Sequence, residues 1–242
     1  EEHGFAFVGP SPDHIRSMGD KIEAKRLAIE LGIPVVPGSE GGIESDEEAV
    51  RVAADIGYPV LVKASAGGGG KGMKVAESPD ELQETLDICR REATANFGND
   101  ALYMEKYLQH PRHIEVQVMG DGLGKVLHFG ERDCSLQRRH QKVLEEAPSP
   151  ALDQTARDAI GATVTKALAS IRYRSAGTIE FLYEDGEFYF IEMNTRLQVE
   201  HPISEMICGV DLVREQLKVA MGTPLSLTQD QITQTGHSIE CR

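Results

Sequence analysis

Val60-Leu-Val-Lys63-Ala-Ser-Ala-Gly67-Gly68-Gly69-Gly70-Lys71-Gly72-Met-Lys-Val75 is the stretch on which the fold turns. An apolar, β-branched run ends at a lysine. A loop of five glycines and a lysine follows, and then a second short strand-like run. Without a Cβ, glycine lets several backbone N–H groups converge on an anion, and lysines at both ends add positive charge. The flanks separate three glycine-loop architectures. GxGxxG matches at Gly67, Gly69 and Gly72, but the dinucleotide fold needs a helix directly after the loop. Here Met73-Lys-Val-Ala-Glu77 reads as strand, and helix signals begin only at Ser78-Pro79-Asp80-Glu81. The Walker loop fails because Lys71 is followed by Gly72 rather than Ser or Thr. What remains is strand–loop–strand, the geometry of a flap that closes over phosphates. A surface hairpin without such a role is the alternative.

Working outward, residues 17–31 read as a helix ended by Gly32, and Pro34 and Pro37 bracket a short strand. Residues 46–56 read as a helix with Ser45 or Asp46 as N-cap. Strands at 60–64 and 73–76 flank the glycine loop, and a helix spans 78–95, with Ser78-x-x-Glu81 resembling a capping box. Residues 103–108 form an extended link. Beyond it, His113-Ile-Glu-Val-Gln-Val118 alternates with period two, as in a half-buried strand, and 125–133 continues the sheet. A long amphipathic helix covers 153–171, two strands at 178–183 and 188–194 meet around Glu184-Asp-Gly-Glu187, and a last helix covers 209–221. The fold class is α+β: a small lid unit at 35–107, a larger antiparallel-sheet and helix core at 108–242, and a linking segment at 1–34.

The chain has 242 residues, 40% hydrophobic and 26% charged, as expected of a globular protein of one large or two small domains. A net charge of −14 argues against a general nucleic-acid binder. An anionic substrate must therefore meet local positive charge, and Arg138-Arg139-His140-Gln141-Lys142 supplies a cluster; a solvated face is the plainer reading of it. No apolar run reaches the roughly 18 residues of a membrane span, and no secretory signal opens the chain. Cys89, Cys134, Cys208 and Cys241 show no CxxC pairing and read as free thiols of a reducing compartment. The chain starts at Glu1 without methionine and stops at Arg242, apparently within a strand, which reads as an excised fragment.

The second constellation is Gly177-Thr-Ile-Glu180-Phe-Leu-Tyr followed by Phe188-Tyr-Phe-Ile-Glu192-Met-Asn194-Thr-Arg196-Leu-Gln198-Val-Glu200-His201. Regular alternation places Phe188, Phe190, Glu192, Asn194 and Arg196 on one face of a strand and Tyr189, Ile191 and Met193 on the other. Carboxylates in an apolar strand are costly to bury unless paired or metal-bound. Mg²⁺ typically takes one or two carboxylates, with phosphates and water completing its shell, and Glu180 and Glu192 are the candidate pair. Register decides it. A two-residue Asp185-Gly186 turn pairs 184 with 187 and so 180 with 191, on opposite faces from 192. An odd, three-residue loop pairs 180 with 192. The metal reading therefore requires the odd loop, and two exposed glutamates on an edge hairpin are the alternative. Arg196, Gln198, Glu200 and His201 then form a polar knot: arginine holds oxyanions in a bidentate fork, and a positioned glutamate can act as general base.

The strings KASAGGGGKGM, MEKYL, RHIEVQV, ERDCSLQRRHQKVLEEAPSP, GTIEF and FIEMNTRLQVEHPISE resemble the biotin carboxylase component of biotin-dependent carboxylases such as acetyl-CoA carboxylase, an ATP-grasp enzyme. The resemblance runs from about Gly9 to Arg242. It implies an ATP-grasp fold with the family's N-terminal α/β domain largely missing, and an ATP-dependent ligase. That enzyme joins bicarbonate to ATP as carboxyphosphate and then carboxylates biotin on a carrier protein, as in fatty acid biosynthesis. By matching position, the resemblance gives nucleotide phosphates to Lys21 and Lys63, the lid loop to Gly67, Gly68, Gly69, Gly70 and Gly72, and the adenine to Glu105 and Leu108. It lines the nucleotide pocket with His113, Gln137 and His140. Mg²⁺ or Mn²⁺ falls to Glu180, Glu192 and Asn194. Lys142, Arg196, Gln198 and Val199 would seat bicarbonate, Glu200 would deprotonate it, and Arg242 would stabilise enolate-like charge on biotin. A structural role is equally open for His140 and is favoured for His201.

Implied partners are the biotin carboxyl carrier, a carboxyltransferase component and bicarbonate, with neither nucleic acid nor membrane. Family members often dimerise through surfaces outside this stretch, which counts against a dimer of the chain. The cytoplasm is the expected compartment, with the mitochondrial matrix as the alternative. Another ATP-grasp ligase, such as a carbamoyl-phosphate-type synthetase, and a non-catalytic ATP-binding module are the competing readings.

Overall fold

The computed structural model describes residues 3–19, 21–39, 41–65, 72–139 and 141–242, with Lys21 and Ile22 as backbone only. Two units emerge, one formed by the chain up to Val35 together with His110–Arg242, the other by Val36–Gln109. The first unit opens with helices α1 (Pro12–Gly19) and α2 (Lys21–Glu30). These replace the single helix expected over 17–31. Between Pro34 and Pro37 there is an isolated bridge, Val35 to Phe190, rather than a strand.

The second unit contains α3 (Asp46–Ile56), β1 (Val60–Ala64), β2 (Met73–Ala76), α4 (Pro79–Phe97) and β3 (Leu102–Lys106). Its antiparallel sheet runs β2-β1-β3. Alternation in β1 sends Val60, Val62 and Ala64 into a core shared with Ala49 and Ala53 of α3 and with Leu82, Leu86, Cys89 and Ala93 of α4. Ser45 Oγ accepts from Glu48 N–H at 3.1 Å, so α3 starts on an N-cap that the sequence anticipates. Ser78 is also an N-cap, but its hydroxyl makes no capping bond, and Glu81 accepts from the Glu77 N–H at 3.0 Å, one residue too early for a capping box. Pro79, with its φ already set for the first helical turn, starts α4 instead.

The larger unit continues with β4 (Arg112–Asp121), β5 (Val126–Arg138), β6 (Gln141–Ala147), α5 (Gln154–Ser170), β7 (Arg174–Glu184), β8 (Glu187–Asn194), α6 (His201–Cys208), α7 (Leu212–Ala220) and β9 (Ser238–Cys241). Six strands form one antiparallel sheet in the order β8-β7-β4-β5-β6-β9. Ile114, Val116, Val118, Ile179, Phe181, Phe188 and Phe190 line one face, where Ala24 and Ala28 of α2 and Ile160, Val164 and Leu168 of α5 cover them. β4 is buried along both faces, not half-buried as its alternation suggests, because its polar alternate positions are covered as well. The final helix is shorter than the expected 209–221. Gly209, at φ 67°, ends α6, and Asp211 caps α7.

The β7–β8 hairpin carries the main correction. Its turn is the two-residue one: Asp185 (φ 52°) and Gly186 (φ 88°) join Glu184 paired with Glu187. Yet Glu180 still pairs with Glu192, because the register shifts between Phe181↔Phe190 and Glu180↔Glu192 and leaves Ile191 as an extra residue. The odd loop is therefore not required. The bulge also changes the faces: Phe188, Phe190 and Met193 all enter the core, while Glu192 and Asn194 lie with Glu180 on the other side.

Candidate active site

On β4, His113, Glu115 and Gln117 alternate with the core residues Ile114, Val116 and Val118. Register sets Glu115 beside Arg132 of β5 on one side and Glu180 of β7 on the other, and Glu180 beside Glu192 of β8. One charged row, Arg132–Glu115–Glu180–Glu192, thus crosses four strands. β6 and the segment after β8 then bring their own residues onto this row.

Lys142 is its hub. Its Nζ donates to Glu115 Oε2, to Glu180 Oε1 at 3.0 Å and to Glu200 Oε1 at 2.7 Å. The Lys142 side chain is 13% exposed, those of Glu180 and Glu200 8% and 3%, and that of Glu115 not at all. Burial alone would raise the Glu180 carboxyl, but His113 and Lys142 overcome it and hold the group at about 2. Glu115 is likewise disfavoured as an anion by burial, yet Arg132 and Lys142 pull its pKa below the ordinary value. Burial opposes charge on Lys142 too; Glu115 more than compensates and keeps it protonated. The row is therefore ionised throughout these members, and each charge depends on the others.

Glu200 is gripped from both sides. Arg242 Nη2 donates to its Oε2 at 2.5 Å, and the same guanidinium lies with Nε 3.0 Å from Glu145 Oε1, an ion contact outside hydrogen-bond geometry. β9 delivers this arginine to β6, and its N–H binds Val143 O at 2.9 Å. Gln198 Nε2 donates to Glu180 Oε1 at 2.8 Å. Arg196 is exposed, with Nη2 donating to Asn194 Oδ1 at 3.1 Å, and Val199 is exposed. His201 sits at the start of α6, its Nδ1 2.7 Å from Gln198 O, which suits a structural histidine. Gln137 donates to Cys134 O at 2.9 Å and lies 3.2 Å from His113 Nδ1; His113 Nε2 is 2.9 Å from Glu180 Oε2 in ion-pair range, without hydrogen-bond geometry.

The metal reading can be tested on Asn194. Its Nδ2 reaches Glu180 Oε1 at 2.9 Å and Glu192 Oε1 at 3.4 Å, so one point lies within reach of both carboxylates. Two hard oxygen donors that converge and share a face suit Mg²⁺ or Mn²⁺. His113, Glu115 and Glu180 also present donor atoms within 4.8 Å of one another, but both Glu115 oxygens are already committed to Arg132 and Lys142.

In the smaller unit, Lys63 Nζ donates to Glu105 Oε2 at 2.5 Å and stands 5.5 Å from the Tyr103 ring centre. Burial, with Glu105 nearby, pushes Tyr103 up to about 12. Leu108 is half-buried beyond β3. Gly72, at φ 69°, follows the loop, and a Cβ there would meet that of Ala64 at 3.0 Å. Gly67, Gly68, Gly69, Gly70 and His140 lie outside the described residues, as does the Lys21 side chain. The basic cluster divides: Arg138 and Arg139 are exposed, whereas Lys142 turns inward.

Sequence reasoning missed Arg132, Glu115 and Gln117. Arg132 is fully buried and donates to Glu115 Oε1 at 2.6 Å, Gln117 Oε1 at 2.7 Å, Ser204 Oγ at 3.0 Å, Gln198 Oε1 at 2.9 Å and Thr178 Oγ1 at 3.3 Å. Polar residues at every second position of β4 were the available signal, since a covered strand that bears them needs a multiple donor opposite.

Biotin carboxylase 1, chloroplastic, of Populus trichocarpa is 58% identical over 242 residues, which is all of this chain and 46% of that protein. The biotin carboxylase domain of a thermophilic 2-oxoglutarate carboxylase, solved with bicarbonate, superposes with a TM-score of 0.94 at 47% identity, over all of this chain and 53% of that one. The corresponding Hydrogenobacter thermophilus domain dimer, solved with MgADP, ADP and bicarbonate, gives a TM-score of 0.85 at 50% identity, again over all of this chain and 53% of that one. The fold is thus the ATP-grasp fold of biotin carboxylase domains, and the chain spans about half the length of the relatives it matches. The family model described as "Carbamoyl-phosphate synthase L chain, ATP binding domain" matches residues 20–228. The chain belongs to that family of ATP-binding domains and is similar over its whole length to biotin carboxylases.

Proposed function

We propose that this chain is the ATP- and bicarbonate-using part of a biotin carboxylase. The observation that carries the reading is Glu200: a buried carboxylate held between Lys142 and Arg242, with Gln198 bound to the same Glu180 oxygen that Lys142 holds. An anion seated by Lys142, Arg196, Gln198 and the Val199 backbone would meet both the cations that hold it and a base that can take its proton.

The steps follow. Glu200 accepts the proton of bicarbonate, and Lys142 and Arg196 stabilise the anion left behind. An oxygen of that anion forms a bond to the γ-phosphorus of ATP as the bond to the β-phosphate oxygen breaks, which gives carboxyphosphate and ADP. The bond from the carboxyl carbon to the phosphate oxygen then breaks as a bond forms to the ureido nitrogen of biotin on its carrier; the departing phosphate takes the ureido proton, and Arg242 offsets enolate-like charge on the biotin oxygen. Glu180, Glu192 and Asn194 would hold the divalent ion, whose chemistry is to neutralise phosphate charge. Lys63, Glu105 and Leu108, with Lys21, His113, Gln137, His140 and the glycine loop, are assigned to the nucleotide by family position. A carboxyltransferase component is the proposed downstream partner. The cytoplasm is the proposed compartment, supported by cysteines that are free.

The test is ADP formation by the full-length protein. Bicarbonate plus free biotin should stimulate ADP release. Stimulation by an amine acceptor instead would favour a carbamoyl-phosphate-type synthetase, and Mg-ATP binding without ADP under any acceptor would leave only a nucleotide-binding module.

A further inference from the structure

Lys142 presents a difficulty for any anion that would bind it. An ammonium has three N–H donors, and all three meet carboxylates: Glu115, Glu180 and Glu200. An incoming anion must displace one of them, and a buried carboxylate stripped of its cation is costly. Arg132 resolves this. Its guanidinium holds Glu115 Oε1 at 2.6 Å independently of Lys142, which takes Oε2. Glu115 is therefore the one partner that Lys142 can release while leaving it neutralised by a fully buried cation in direct contact.

The same guanidinium fixes a second group. Arg132 Nη2 donates to Gln198 Oε1 at 2.9 Å, which aims the Gln198 amide nitrogen at Glu180 Oε1, 2.8 Å away. Gln117 and Ser204 hold Nη1 at 2.7 and 3.0 Å, and Thr178 holds Nη2. Neither Gln117 nor Ser204 has a place in the proposed chemistry; they fix the fork in its plane. Charge points the same way: without Arg132 the same carboxylates face one cation fewer, and the set repels an anion more strongly.

We propose that Arg132 is a positioning residue of the anion seat: it neutralises Glu115 and orients Gln198 so that Lys142 can exchange a carboxylate for bicarbonate. This rests on reading Lys142 and Gln198 as the bicarbonate seat. The role needs the fork and not merely a positive charge, since lysine cannot span Glu115 and Gln198 together.

The experiment uses the full-length protein and measures initial rates of ADP formation against bicarbonate and against MgATP. Arg132→Lys should raise the KM for bicarbonate about tenfold or more and leave the KM for MgATP within about twofold. A purely structural role would move both constants, or kcat alone. An active wild type with an unchanged bicarbonate KM in Arg132→Lys, or equal rises in both constants, overturns the proposal and leaves the functional reading intact. A wild type that makes no ADP in response to bicarbonate overturns both. Should Arg132→Lys fail to fold, Ser204→Ala removes one support of the fork at small volume cost. It should raise the bicarbonate KM at least twofold with the MgATP KM unchanged, and the proposal falls if it does not.

Discussion

The two units bury charge in different ways. In the smaller one, Lys63 and Glu105 form an ion pair across β1 and β3, with side chains 22% and 12% exposed. In the larger one, Lys142 is shared by three carboxylates that are almost wholly buried, and Arg132 braces the set from beneath. A partly hydrated pair opens at smaller cost, because water receives whichever partner is released. In a closed cluster, a released carboxylate strands charge in low dielectric unless a second cation holds it, as Arg132 holds Glu115. On the proposed function, the smaller unit's lysine is the one released to a ligand and the larger unit's charges are the ones kept in place.

The largest effect that could break this contrast is loss of the hub. Lys142→Met should destabilise the protein by about 3–5 kcal/mol, the usual cost of breaking a buried ion network, and abolish bicarbonate-stimulated ADP formation. Lys63→Met should cost no more than about 1 kcal/mol and act mainly through the KM for MgATP. Chemical denaturation of the two variants side by side decides it. Equal losses would mean that the Lys63–Glu105 pair is as deeply committed as the cluster.

Acid should sharpen the same distinction. The folded pKa of Glu180, about 2, lies below its ordinary 4.5. A depressed carboxyl pKa gives stability that is present above the ordinary value and lost as pH falls toward the folded one. The contribution of Glu180, up to roughly 3 kcal/mol for a shift of this size, should therefore disappear between about pH 4.5 and pH 2. Unfolding in chelator-containing buffer should show wild type losing stability across that window and Glu180→Gln losing much less. Parallel curves for the two proteins would remove the charge network from the account of stability.

Legibility in the sequence followed the same division. In the smaller unit the described strands and helices were readable. β1, β2 and α3 ended where glycines, proline and Ser45 said they should, because local chemistry sets those boundaries. In the larger unit local signals gave the strands but not the site. Phe188-Tyr-Phe-Ile-Glu-Met reads as unbroken alternation, and nothing in it marks Ile191 as the extra residue; the bulge follows from the demand that Phe190 and Met193 both reach the core while Glu192 meets Glu180. β6 was hidden in the charged run Gln141–Ala147, whose polar residues face a buried row instead of water. Nothing local singled out Arg132; only the register puts Glu115, Gln117 and Gln198 around it.

The smallest test concerns how each unit starts its main helix. Asp153 Oδ1 accepts from the Ala156 N–H at 2.8 Å and caps α5, the helix that covers the core face of the large sheet. Asp153→Ala should cost about 1 kcal/mol, typical of a lost N-cap, read as a shift in the denaturation midpoint. Ser78→Ala at the start of α4 should cost less than about 0.5 kcal/mol, since the Ser78 hydroxyl makes no capping bond and Pro79 already fixes the first turn. If the two substitutions cost the same, Ser78 caps α4 in solution and the Ser78-x-x-Glu81 motif acts as its sequence implied. The small unit would then close its helix as firmly as the large one.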